Sequence, residues 1–358
     1  MLDASKACDT VQYVKLFKLL LKRKICPLIA RFLANLYTNQ KARIKWDGRT
    51  TQPFSVRNGV KQGGVLSPIL FNVYSNELLE SLKLNGLGCH VGNIFMAAFA
   101  YADDIILLAP SLTSLKRMLK VANDFSIEFY MTFNAAKCKF LVFGRGVDRM
   151  IQLTFKGVIM NASNCEIHLG IPFGPNADRV RVDKSINDLY RKTNLLMGQF
   201  GHASTRVKYH LFKRFCMPMY GYQMWNISTS YMEKFYTAWR KCIRRLLGIP
   251  NRTHNNLVHL LVGEFNINTQ IEQRISNFYI SLCINSNFYV RTCLKLTLNG
   301  SVSSLAHSLR HLNFAETQEV TTETFSKALF ISELISMRDR GDENREDLTD
   351  IINHLCVE

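Results

Sequence analysis

The segment Phe99-Ala100-Tyr101-Ala102-Asp103-Asp104-Ile105-Ile106 constrains this chain more than any other stretch. Residues 94–109 read as two apolar strands joined by a tight turn at Ala102-Asp103-Asp104. Two adjacent carboxylates at the tip of an apolar hairpin repel each other, and something must neutralise them. A divalent cation is one solution. Hard carboxylate oxygens suit Mg²⁺, which keeps waters and takes its other ligands from substrate phosphates. Aspartate also favours turns for local hydrogen-bonding reasons, so the dipeptide alone does not separate a metal site from an ordinary turn. A second acidic segment, Leu2-Asp3-Ala4-Ser5-Lys6-Ala7-Cys8-Asp9, lies far upstream. If its strand runs beside the hairpin, Asp3 and Asp103 can face each other across a shared metal pair. Two metals about 4 Å apart can activate an attacking oxygen and stabilise the leaving one in phosphoryl transfer.

The pattern around these segments predicts an α+β layer. Apolar residues at helical spacing run from Thr10 to Tyr37, and Pro27 divides them into two helices or kinks one. Residues 41–57 alternate like a hairpin with its turn at Asp47-Gly48. A helix follows to about Leu84, with Ser67 as its N-cap and Pro68 at the first helical position. After the Asp-Asp hairpin come a helix over Ser114–Tyr130 and a strand over Phe140–Phe143. That order suits an antiparallel sheet backed by helices on one face. A Gly- and Asn-rich stretch (144–176) leads to helical patterns at 183–200, 204–220, 228–247 and 270–290.

Composition narrows the class. With 358 residues and 47% apolar content, the chain can bury a substantial core, which excludes whole-chain disorder. No uncharged apolar run reaches the length of a spanning helix, and no secretory signal pattern opens the sequence. The ten cysteines are scattered without a C-x-x-C pair, as in a reduced intracellular protein. His254 and His259 have no Cys or His pair nearby to complete a zinc set. The formal net charge is +17, but its distribution says more: residues 1–298 carry +23 and residues 299–358 carry −6. So basic a body commonly meets a polyanion, either nucleic acid or an anionic membrane, the alternative being a solubilising surface excess. Basic and aromatic residues interleave at Arg206, Lys208, Tyr209, His210, Lys213 and Arg214. They do so again at Trp239, Arg240, Lys241, Arg244 and Arg245. Their spacing puts several on one helical face that can track a phosphate backbone while the rings pack inward, or that is the solvated face of an ordinary helical bundle.

Five ordered segments carry a resemblance. Leu2 to Val11, Asn58-Gly59-Val60-Lys61-Gln62-Gly63-Gly64-Val65-Leu66-Ser67-Pro68-Ile69-Leu70-Phe71-Asn72, Tyr101-Ala102-Asp103-Asp104, Phe133-Asn134-Ala135-Ala136-Lys137-Cys138-Lys139 and His168-Leu169-Gly170 resemble the successive palm motifs of the reverse transcriptases of non-LTR (LINE-type) retrotransposons. The resemblance implies a polymerase palm over 1–174 with its fingers largely missing, a helical thumb or connector over 175–298, and an acidic tail over 299–358. It implies RNA-directed DNA polymerisation with two Mg²⁺ ions, an RNA template, a DNA primer and dNTPs. By position, Asp3 and Asp103 would bind the metals with Asp104 in support. Gln62, Gly63 and Gly64 would border the incoming nucleotide, and Lys137 would act as general acid toward pyrophosphate. Leu169 and Gly170 would seat the primer end, while Tyr101 packs against the sheet. The family's need to reach chromosomal DNA implies a nuclear or cytoplasmic location without membrane attachment.

Two departures qualify this. Only Met1 and Leu2 precede Asp3, so a truncated copy of an element with impaired activity is expected. Five residues after Asp3, where the family typically has an aromatic residue against the sugar, stands Cys8, which puts discrimination against ribonucleotides in doubt. An inert nucleic-acid-binding remnant is the alternative. A two-metal nuclease fits the carboxylates but not the Gln62-to-Pro68 segment.

Overall fold

The computed structural model describes residues 1–144, 150–175, 177–299 and 303–312. Most of the acidic tail expected at 299–358 therefore lies outside the described residues. The chain divides into two compact units, Met1–Leu169 and Gly170–Glu358.

Unit 1 mixes helices with small sheets. Its elements are β1 (Leu2–Asp3), α1 (Ala7–Thr10), α2 (Tyr13–Lys22), α3 (Pro27–Thr38), β2 (Lys41–Ala42), β3 (Lys45–Trp46), β4 (Arg49–Thr50), β5 (Phe54–Ser55) and α4 (Ser67–Leu84). There follow β6 (His90–Val91), β7 (Ile94–Phe95), β8 (Ala98–Tyr101), β9 (Asp104–Leu107), α5 (Leu112–Glu128), β10 (Phe140–Leu141), β11 (Gln152–Phe155), β12 (Val158–Ser163) and β13 (Glu166–His168). Pro27 does separate α2 from α3 and occupies the first turn of α3, where no N–H is missed. Helix α4 buries Leu70, Phe71, Tyr74, Leu78 and Leu82, a three-and-four spacing that keeps one face inward. Its N-cap is Leu66 rather than Ser67. The Ser67 hydroxyl instead donates to the carbonyl of Lys61 and closes the preceding loop. The cap expected at Ser67 is thus displaced by one residue because that hydroxyl is engaged upstream.

The central sheet has strand order β1-β9-β8, antiparallel throughout. Beyond β1 the chain is held by the 132–139 segment: Ala4 bridges Phe133, Ser5 N–H donates to Thr132 O at 2.8 Å, and Lys139 N–H donates to Met1 O at 3.0 Å. In a second sheet β10 runs parallel to β12, which in turn pairs antiparallel with β11, so the strand expected at Phe140 does not join the antiparallel central sheet. β10 lies within the strand expected over Phe140–Phe143, whereas β11 and β12 fall in the stretch read only as Gly- and Asn-rich. Leu153 and Phe155 face the core in alternation with exposed neighbours, a period of two too short to stand out among glycines.

Unit 2 contains β14 (Ile171–Phe173), α6 (Ala177–Phe200), α7 (Thr205–Leu211), α8 (Tyr231–Leu247), α9 (Asn255–Leu260), α10 (Ile267–Cys283), α11 (Phe288–Asn299) and α12 (Ser304–His311). One π-helical turn, Phe212–Cys216, prolongs α7. The single helix expected over 270–290 is broken: Asn287 Oδ1 accepts from the N–H of Tyr289 at 2.9 Å and starts α11 afresh. The core of unit 2 centres on Trp225, Phe235 and Trp239. The Trp225 and Phe235 ring centroids lie 4.9 Å apart, edge to face. Among the described residues no helix is long and apolar enough to cross a membrane.

Candidate active site

In the register of β1 against β9, Asp3 lies directly opposite Asp104, and Leu2 opposite Ile105. Side chains at directly opposed positions leave the sheet on the same face. The carboxylate facing Asp3 across the ladder is therefore that of Asp104, not of Asp103. Asp103 sits outside the ladder in the two-residue turn after Tyr101 and is exposed. The turn is made with Ala102 at φ 53°, a left-handed conformation that costs an L-residue about 1–2 kcal/mol. Asp3 and Asp104 are half-buried. Among the described residues none of the three carboxylates is in an ion pair.

Asp103 is tied to the first motif by its field. The Cys8 thiol, half-buried at the start of α1, is pushed above its ordinary pKa by burial and then by the negative charges of Asp103 and Asp9. The second motif is tied there by backbone. Gly59 N–H donates to Val11 O at 2.9 Å and Val60 N–H to Cys8 O at 2.8 Å. Gly59 has φ 92°, and a Cβ on it would meet Asp9 Cα at 2.9 Å and Cys8 O at 3.0 Å, so the loop crosses α1 with no room for a side chain. The loop then turns at Lys61–Gly64, where Gly64 N–H donates to Lys61 O at 2.9 Å. Gln62 and Gly63 are exposed there and Gly64 is half-buried.

The fourth motif reaches Asp3 as well. Asn134 N–H donates to the Asp3 carbonyl at 2.9 Å, and the next turn brings Lys137 N–H to Asn134 O at 3.0 Å. Lys137 is exposed, and among the described residues it makes no ion pair. The first four motif segments thus meet around β1. Tyr101, expected to pack against the sheet, is 69% exposed, and its β8 neighbours Phe99 and Ala100 are exposed as well.

Leu169 and Gly170 take φ 47° and 78°, successive left-handed residues of a tight turn. Within unit 2, Lys184 Nζ donates to Gly170 O at 2.7 Å. Lys184 also lines a cavity of about 160 Å³ with Asp188 and Lys192. The sequence reading passed over these residues, although their i, i+4, i+8 spacing on α6 is the signal that finds them. The basic helical face fares less well. Arg244 is buried and donates to Thr253 O at 2.8 Å and Asn255 Oδ1 at 2.7 Å, which removes it from any phosphate-tracking surface. Arg240 bonds Glu233, Arg245 bonds Asn194 and Lys213 bonds Glu264. Arg206, His210, Arg214 and Lys241 stay exposed, and Trp239 packs inward as expected.

Among the described residues no three His, Cys, Asp or Glu side chains cluster tightly enough to hold a metal ion by themselves. The donor set nevertheless fits Mg²⁺. Two opposed carboxylates without a counter-cation offer the hard oxygens it takes, and it commonly binds through one or two carboxylates plus substrate phosphates rather than a protein cage.

Comparison with known proteins completes the picture. The reverse transcriptase (RNA-dependent DNA polymerase) family profile matches residues 1–196. The Pol polyprotein of the type-2 retrotransposable element R2DM of Drosophila melanogaster is 34% identical over 137 residues, covering 38% of this chain and 13% of that protein. The Pol polyprotein of a type-1 retrotransposable element R2 of Popillia japonica is 26% identical over 275 residues, 74% of this chain and 44% of that protein. The RNA-directed DNA polymerase of the mobile element jockey of Drosophila funebris is 23% identical over 264 residues, 70% of this chain and 28% of that protein. The chain spans less than half the length of each of these relatives. With its first four motif segments gathered around β1 and the family profile covering more than half of its length, the chain belongs to the reverse transcriptases, among those of non-LTR retrotransposons.

Proposed function

We propose that unit 1 is the palm of an RNA-directed DNA polymerase, that unit 2 serves as its helical thumb or connector, and that the chain extends a DNA primer on an RNA template. The observation that carries this reading is the register of Asp3 against Asp104, with the loop of the second motif bonded to Cys8 and Val11 beside it. Asp3, Asp103 and Asp104 would hold two Mg²⁺ ions, which supply charge neutralisation and activation of the primer 3′-oxygen when bound. Asp3 on a strand held from both sides is a rigid ligand, whereas Asp103 at a turn tip has the freedom to approach substrate. Gln62 and Gly63, at the exposed turn, border the incoming dNTP. Gly64 closes that turn through its bond to Lys61. Lys137 donates a proton to the pyrophosphate oxygen, and Leu169-Gly170 positions the primer end. Cys8 takes the place beside the sugar. Its side chain is smaller than an aromatic ring, so it excludes a 2′-OH weakly.

Primer extension on an RNA template with Mg²⁺ and dNTPs tests this reading. Incorporation that Asp103→Ala abolishes supports it. Salt-sensitive nucleic-acid binding without incorporation supports the alternative, an inert binding remnant.

A further inference from the structure

The hairpin over residues 41–57 plays no part in the reaction proposed above, yet it is chemically unusual. Trp46 is 82% exposed, with Ile44 and Phe54 also open to solvent. Around them stand Lys41, Arg43, Lys45, Arg49 and Arg57 against a single acid, Asp47. All five cations are exposed, and among the described residues none is in an ion pair. Strands β3 and β4 pair Trp46 with Arg49, so indole and guanidinium leave the same face. Thr51 N–H donates to Ile44 O at 2.9 Å and continues the ladder. The turn has Asp47 at φ 46° and Gly48 at φ 72°, the paired left-handed geometry that matches strand twist.

Ile44 and Trp46, two residues apart on one strand face, form an exposed apolar patch of the kind that marks an interaction site. Unpaired cations beside it select a polyanion, and a flat ring beside an arginine selects one with stacking faces. We propose that this hairpin binds an unpaired polynucleotide strand, with a phosphate on Arg49 and a base stacked on Trp46 on the same face. The proposal rests on the polymerase reading only for the class of ligand, and its test fails separately.

Trp225 and Trp239 are each 1% exposed, so quenching of solvent-exposed tryptophan emission reports on Trp46. Titrating the full chain with oligouridylate or oligothymidylate is expected to quench that emission, with RNA and DNA compared as separate arms. Trp46→Ala is expected to weaken binding by roughly tenfold or more, and Trp46→Phe to retain most of it. Arg49→Gln is expected to lower the slope of log affinity against log salt by about 0.7. Strand binding through Trp46 without incorporation upholds this proposal while the polymerase reading fails. Wild-type affinity and slope in every variant overturns it and leaves the polymerase reading standing. A blue shift on phosphatidylserine vesicles with no quenching by oligonucleotide assigns the face to lipid and also overturns it.

Discussion

Gly59→Ala probes the crossing that brings the second motif onto the first. The added Cβ would lie 2.9 Å from Asp9 Cα, 3.0 Å from Cys8 O and 3.1 Å from Asp9 O. All three are backbone atoms, so relief requires the loop or α1 to move. Overpacking of this kind costs about 1–3 kcal/mol, and the left-handed φ adds about 1–2 kcal/mol for an L-residue. Reduced freedom of the unfolded chain returns about 0.4–1 kcal/mol. Gly63→Ala is the matched control. Its φ of 76° is similar, but its Cβ would have nothing within 4 Å. The two variants therefore differ by the steric part alone, about 1–3 kcal/mol, or roughly 5- to 150-fold in an opening equilibrium. Hydrogen exchange of the buried amides of α4 and α5 reads unit 1 without interference from unit 2. Exchange in Gly59→Ala should exceed that in Gly63→Ala by this factor. Equal protection in the two variants would mean that the loop does not cross α1 closely, and the convergence of the motif segments would lose its support.

Other consequences follow from individual contacts. Asp104→Asn removes one of two opposed carboxylates, so without divalent cation it should stabilise the fold by about 0.2–1 kcal/mol. It should also reduce the rise in melting temperature that Mg²⁺ gives the parent chain; an unchanged Mg²⁺ response would argue against the carboxylates as ligands. Tyr74 is buried, its hydroxyl donates to Phe129 O at 2.5 Å, and burial pushes its pKa up to about 12. Because the folded value lies above the ordinary 10, this stabilisation is full below pH 10 and is lost as pH rises toward 12, by about 2–3 kcal/mol. Tyr74→Phe should cost about 1 kcal/mol at neutral pH and flatten that alkaline decline in urea titrations. Arg244→Ala should destabilise unit 2 by about 2–4 kcal/mol, because it empties a buried position and strands the Thr253 carbonyl and Asn255 side chain. Arg245→Ala, at an exposed position, should change stability by no more than about 0.5 kcal/mol; equal losses would contradict the burial assigned to Arg244.

The amino-acid sequence alone determined the local grammar of this protein. Pro27 divides two helices, Asp47-Gly48 turns a hairpin, and the apolar run around Asp103-Asp104 folds back on itself, because each depends on backbone preferences acting within a few residues. It also supplied the order of the motif segments and thereby the family. Local preference could not say which carboxylate faces Asp3. That depends on the register between segments a hundred residues apart, fixed by burying Leu2 and Ile105 together, and the register selects Asp104. Nor could spacing separate the arginines that meet solvent from Arg244. Its guanidinium is drawn inward by a carbonyl and an asparagine supplied from the next loop. Ser67 gave up its cap to a loop carbonyl for the same kind of reason. Patterns along a chain report the faces of single elements, whereas partners across elements are chosen by packing and hydrogen-bond satisfaction that only the assembled fold defines.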